Sequence, residues 1–145
     1  FISILVIMIT SSCEEKNTSD NWDLENVTTV DYSSPKVKEA IKFTQEKLDS
    51  FNIMYLQFSK DSSFSFFIRT SFTEDKITEH MWCKVLNIDS SFMKVKLDNV
   101  PKDIRNYNYN DTLQIKSNVI EDFLILKNDT IILGGYIEES MNYNY

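Results

Sequence analysis

The chain has 145 residues, 42% of them hydrophobic, which is enough apolar material for the core of one domain and too little chain for several. A single histidine excludes any site built on two, two cysteines exclude a four-cysteine zinc site, and two adjacent glycines exclude a P-loop or a dinucleotide fingerprint. The net charge of -7 sits mostly ahead of Pro35, where Glu14 to Ser34 hold six acids and one lysine; it opposes nucleic acid and anionic membrane surfaces as partners but leaves only -2 for the rest of the chain.

Phe1 to Ile9 form an uncharged apolar run, followed by Thr10-Ser11-Ser12 and then Cys13. Such a run is the tail of a secretory signal and is too short to span a bilayer as it stands. With no starting Met and no basic segment, further residues are expected ahead of Phe1, and a signal anchor stays open. Ser11-Ser12-Cys13 resembles a bacterial lipobox, although Thr10 stands where that motif usually has an aliphatic residue. The resemblance implies a lipid-modified Cys13 and a lipoprotein of the bacterial cell envelope. It would sit in the outer membrane, facing the periplasm or the cell surface. An ordinary signal peptide is the plainer alternative. If Cys13 carries lipid, Cys83 has no intrachain partner and reads as a small buried hydrophobe on a strand.

The expected organisation is a signal over residues 1–12, a lipidated Cys and acidic tether over 13–34, a domain over 35–139 and a disordered tail over 140–145. Ser34-Pro35 opens a helix, with Ser as the cap and Pro in the first turn. Val37, Ala40, Ile41, Thr44, Leu48 and Phe51 make one amphipathic stripe. Asn52 is a candidate left-handed terminus, and Ile53 to Phe58 fit a helix end or a short strand equally. The period then changes to two. Phe64 to Phe72, Thr78 to Ile88 and Met93 to Leu97 read as three strands, with Pro101 ending the third. Asn106 to Asn110 is a polar loop, and Leu113 with Ile115 marks a fourth strand. Phe123 to Leu126 and Thr130 to Leu133 flank an Asn128-Asp129 hairpin turn. The predicted fold is α+β, with one N-terminal helix on a five- to six-stranded antiparallel sheet or small curled barrel.

Several landmarks stand in a familiar order. They are Arg69 within the Phe66 to Phe72 strand, Glu79-His80-Met81-Trp82, Leu97-x-Asn99-x-Pro101, Asp111, Glu121-Asp122-Phe123 and Gly134-Gly135-Tyr136. In these the chain resembles domain of unknown function family 2314, the YegJ-like proteins, from about Val37 to Ile137. It departs from the family pattern at Asn110, where Gly is usual, at Phe123, where Trp is usual, and at Glu138-Glu139, where a base often follows the glycines. The resemblance implies no catalytic mechanism. A family contact made by that base would be lost or changed here.

On a strand, His80, Trp82 and Lys84 share one face, while Glu79, Met81 and Cys83 share the other. That separates His80 from Cys83 and argues against a Cys-His dyad or a metal held by both. Asp122 on a neighbouring strand is a candidate to orient His80 for acid-base work, against a plainer packing pair of His80 with Trp82. Arg69 is a candidate anion contact, or a salt bridge to Glu79 or Asp122. Gly134 and Gly135 would admit a ligand to the backbone, or supply a bend. Tyr107, Tyr109, Tyr143 and Tyr145 fit either a sticky surface or a solvated loop and tail. No residue set calls for a metal or cofactor. The expected function is a non-catalytic binding module on a lipid tether, with an unknown protein as partner. The alternatives are a toxin-neutralising immunity-type lipoprotein and a hydrolase using His80.

Overall fold

A computed structural model describes residues 30–142; Cys13, the signal and the tether up to residue 29 lie outside the described residues. Pro35, with its fixed φ, starts helix α1, Pro35–Phe58. Ser34 holds the cap position, but its hydroxyl makes no cap bond. Instead Asp31 organises the entry, accepting bonds from the Ser33 N–H and hydroxyl. The stripe of Val37, Ala40, Thr44, Leu48 and Phe51 is buried, with Ile41 at its margin. Tyr55 continues it, so the helix runs past Asn52 and closes at Ser59, whose N–H donates to the Tyr55 carbonyl. Burial of the next residue in register outweighs the local tendency of Asn to end a helix.

Six strands follow: β1 Phe64–Glu74, β2 Ile77–Asp89, β3 Phe92–Leu97, β4 Thr112–Lys116, β5 Ile120–Lys127 and β6 Thr130–Gly134. All pairings are antiparallel in the order β4-β3-β2-β1-β5-β6, and the sheet is open. Asn128 and Asp129 both take positive φ, 49° and 60°, as a two-residue hairpin turn of that hand demands. Asn110 does the same at 71°, so the turn ahead of β4 survives without glycine.

One sheet face carries Phe66, Ile68, Met81, Cys83, Val85, Val95, Phe123 and Ile125, all buried. Helix α1 lies on this face. Phe51 meets Phe66 edge-on and Phe123 at a tilt, with ring centroids 5.8 and 4.9 Å apart. Cys83 is fully buried there, and burial pushes its thiol up to about 12, with Asp98 adding to the rise. The chain from Asp98 to Asp111 folds back over one end of the core and buries Ile104. Glu79 accepts bonds from the N–H groups of Lys102, Asp103 and Ile104, and Glu74 from those of Arg105 and Asn106. Tyr107 is half-buried edge-on to Phe72, while Tyr109 is exposed, so the loop is not a continuous aromatic surface.

The expected tail from Ser140 is a correction. Gly134-Gly135 leads into helix α2, Tyr136–Asn142, which packs on α1 and β5. Seven residues, about two turns, repeat the apolar spacing too few times to leave a helical signature in the sequence; Ile137, buried against the core, holds the helix in place. Residues 143–145 lie outside those described. The tether also ends earlier than expected, because Tyr32 is packed on the sheet.

Candidate functional site

The positions of β1 and β2 that alternate with the buried Phe66, Ile68, Met81 and Cys83 carry a cluster of rings and charges. Strict alternation along β2 turns His80 and Trp82 away from the buried Met81 and Cys83. Arg69 on β1 pairs in register with Trp82 on one side and Asp122 on the other. The Trp82 N–H donates to the Asn99 side chain at 2.6 Å, which ties the end of the β3 segment to this strand. The predicted residues Arg69, His80, Trp82 and Asp122 are therefore neighbours, but their bonds differ from those expected.

His80 bonds to Glu121, not Asp122. Its Nδ1–H donates to Glu121 Oε2 at 2.7 Å. The register of β5 against β1 shifts between Arg69 and Thr70, inserting Glu121 as an extra residue. A bulge of this kind puts two residues opposite one, so Glu121 and Asp122 both lie across from Arg69.

Arg69 bonds to neither Glu79 nor Asp122. Its guanidinium reaches Glu138 on α2 at 2.5 Å. The same guanidinium lies 5.6 Å from the Tyr32 ring and 5.7 Å from the Trp82 ring. Only 8% of Arg69 is exposed, so the contacts are made in a largely desolvated setting. The ring that stacks on His80 comes from Tyr32. It lies flat on the imidazole, with centroids 3.4 Å apart and planes 8° from parallel.

Asp122 is fully buried and structural in its contacts. It accepts bonds from the N–H groups of Phe123, Tyr136 and Ile137, at 2.8, 3.2 and 2.9 Å. Burial pushes its carboxyl up to about 6, helped by the charge of Glu138 and opposed by those N–H groups. Thr44 of α1 lies 3.5 Å away. Asp122 thus pins the start of α2 and the middle of α1 to β5.

Gly134 and Gly135 serve that docking. Both take positive φ, 97° and 80°. A Cβ on Gly134 would fall 1.8 Å from the Phe123 carbonyl oxygen, so only glycine permits the approach. The Gly135 N–H donates to that same oxygen at 2.9 Å. The pair supplies a bend that brings Tyr136, Ile137 and Glu138 onto β5 and Arg69, and the backbone there is already occupied by protein.

Sequence reasoning missed Tyr32, Glu121 and Glu138 as members of the cluster. Tyr32 lay in a polar stretch without period. A faint signal was available in Asp31-Tyr32-Ser33-Ser34, an aspartate-led turn just ahead of a helix. Burial raises the Tyr32 hydroxyl well above its usual range, against the pull of the Arg69 charge. Among the described residues, its oxygen, Arg69 Nε and Glu138 Oε2 are buried with no hydrogen-bond partner. Two concavities lie elsewhere. One of about 310 Å³ is lined by Phe72, Tyr107, Leu113, Ile115, Lys116 and Val119, among others, and holds none of these residues. No group of three or more potential metal ligands occurs among the described residues, and no described helix is long and apolar enough to cross a membrane.

The fold and the cluster define an α+β protein with an open antiparallel sheet that carries a half-buried aromatic and ionic site where β1, β2 and β5 meet the lead into α1 and the short helix α2. The chain belongs to a bacterial family described as "Uncharacterized protein conserved in bacteria (DUF2314)", whose model matches residues 34–144. No curated protein and no solved structure matches the chain.

Proposed function

We propose that this protein is a non-catalytic binding module, held at the cell envelope by lipid on Cys13, and that the face carrying Tyr32, Arg69, His80 and Trp82 engages a partner protein. The observation that carries the reading is the set of three buried polar atoms without partners, on Tyr32, Arg69 and Glu138, gathered in one cluster. Leaving one such group unsatisfied costs about 1–3 kcal/mol, so a cluster of three is a place where a partner has bonds to supply. Half-buried aromatic rings beside an arginine are also the residue types that dominate binding energy at interfaces.

The His80–Glu121 pair supports a second reading, a hydrolase in which His80 is a general base. Among the described residues, no hydroxyl or thiol bonds to the imidazole, and the Tyr32 ring covers one of its faces. The binding reading therefore has the stronger support.

The test is cross-linked capture from an envelope fraction with the wild-type chain and with Trp82→Ala. A specific protein captured by the wild type and lost by a variant that melts at the same temperature supports the binding face. Equal capture by both moves the face elsewhere. Turnover of an ester or peptide substrate that disappears in His80→Gln would favour the hydrolase.

A further inference from the structure

We infer that the surface over His80 is a slot for a tyrosine side chain of a partner polypeptide, and that Tyr32 of this chain fills it as an internal plug. The inference rests on the binding-face reading above and specifies what that face takes. The chain itself shows which group fits: a phenol ring stacks 3.4 Å above the imidazole, within 8° of parallel, beside the Arg69 guanidinium. A flat floor and a cationic wall recognise a planar π-system and offer little to an aliphatic chain.

The plug is lightly held. Tyr32 belongs to the irregular lead into α1. Among the described residues, the hydrogen bonds of this lead are internal or run to α1: Ser33 to Asp31, Ser34 to Asp31, and Lys38 to Ser34. None reaches the sheet, so the ring can leave without breaking a hydrogen bond to it. The Tyr32 hydroxyl has no partner in the plugged state and would regain water on leaving.

Charge selects the class of ligand. Three acids, Glu121, Asp122 and Glu138, and a single base, Arg69, act on the Tyr32 hydroxyl, and Arg69 already spends one nitrogen on Glu138. An anion is therefore disfavoured, and a neutral ring is not. Two further atoms point to a peptide over a free aromatic molecule. Arg69 Nε, nine-tenths buried, lacks an acceptor, and Glu138 Oε2 lacks a donor. An incoming backbone carries both a carbonyl and an N–H. The backbone beside Tyr32 is committed in part to the Asp31 turn and satisfies neither atom.

His80 is the only histidine, so its ring protons report the slot without ambiguity. In the full chain they should resonate upfield, because Tyr32 lies over them. Tyr32→Ala should move them toward the position of a free imidazole. Adding N-acetyl-tyrosinamide to that variant should return them upfield in a saturable way, about two- to tenfold tighter than N-acetyl-leucinamide, the margin a stacked aromatic pair supplies. The wild type should not respond. If Tyr32→Ala does not fold, Tyr32→Leu takes its place. A folded variant whose His80 protons ignore the tyrosine probe overturns the slot, and so does unfolding of both variants, which would make Tyr32 a structural element. The binding face is judged separately, by wild-type capture and its loss in Trp82→Ala.

Discussion

Three carboxylates that look alike in the sequence do different work. Glu121 orients His80, Asp122 docks two helices, and Glu138 neutralises Arg69. His80→Ala would strip Glu121, itself half-buried, of its partner and remove the floor beneath Tyr32. A loss of about 1–3 kcal/mol is expected from the unpaired group, read by urea unfolding. His80→Gln, which can still donate to Glu121, should recover part of it; equal loss in both variants would show that the Glu121 bond contributes nothing. At Gly134 the constraint is steric as well as conformational. Gly134→Ala combines a strained positive φ, worth about 1–3 kcal/mol, with a clash on the Phe123 carbonyl. The variant should melt lower, with faster hydrogen exchange at the Tyr136 and Ile137 amides, the two of α2 that reach Asp122. Unchanged exchange at those amides would separate the glycine from the docking of α2.

At the scale of elements, α1 is the lid of the core. Leu48 is 7% exposed within it, and Leu48→Ala should cost about 2–5 kcal/mol in urea unfolding. A cost below about 0.5 kcal/mol, the range of surface substitutions, would make the helix peripheral. Most of the elements were legible because their periodicity is strong. The helix stripe, the alternation of Met93, Val95 and Leu97 with lysines, and the Asn128-Asp129 turn each carry a local physical cause. The elements that were not legible lack one. Helix α2 is too short to display a period, and the end of α1 was set by Tyr55 finding Phe66, a contact that Asn52 does not announce. The bulge in β5 hid the partner of His80. Adding one residue to a strand changes which side chain meets which neighbour, and alternation alone assigned Asp122.

At the scale of the whole molecule, two features link the site to conditions outside it. The first is pH. Burial pushes the folded Asp122 carboxyl up to about 6, from an ordinary aspartate value of 3.8. The folded state therefore holds this proton more tightly than the unfolded state. Its contribution to stability is complete below about pH 4 and is lost as pH rises to about 6, a change of about 3 kcal/mol. Glu79 acts in the opposite direction: against partial burial, the N–H groups of Lys102, Asp103 and Ile104 hold its carboxyl below the usual range, so its contribution is lost as pH falls. Urea unfolding of the wild type and Asp122→Asn between pH 4 and 7 isolates the first effect. The wild type should lose stability relative to the variant as pH rises, and parallel curves would remove Asp122 from the account. The second is the proposed lipid on Cys13. Cys13→Ala should release the full chain from the membrane fraction, and a variant that stays membrane-bound with its signal uncleaved would identify residues 1–12 as an anchor.

The sequence by itself determined the α+β class, the strand order along the chain, the polar face of β2 and the family, because each follows from period, turn chemistry or a run of landmark residues. It also brought Arg69, His80, Trp82 and Asp122 forward as candidates. Only the tertiary structure decided what those residues do. The partner of Arg69 depends on a glycine bend and a short helix docking across β5. The partner of His80 depends on a one-residue bulge, and the ring above it comes from a segment with no period of its own. Periodicity is a property of neighbours along the chain, whereas these contacts join residues 41 to 69 positions apart, and only the packed core fixes how such residues meet.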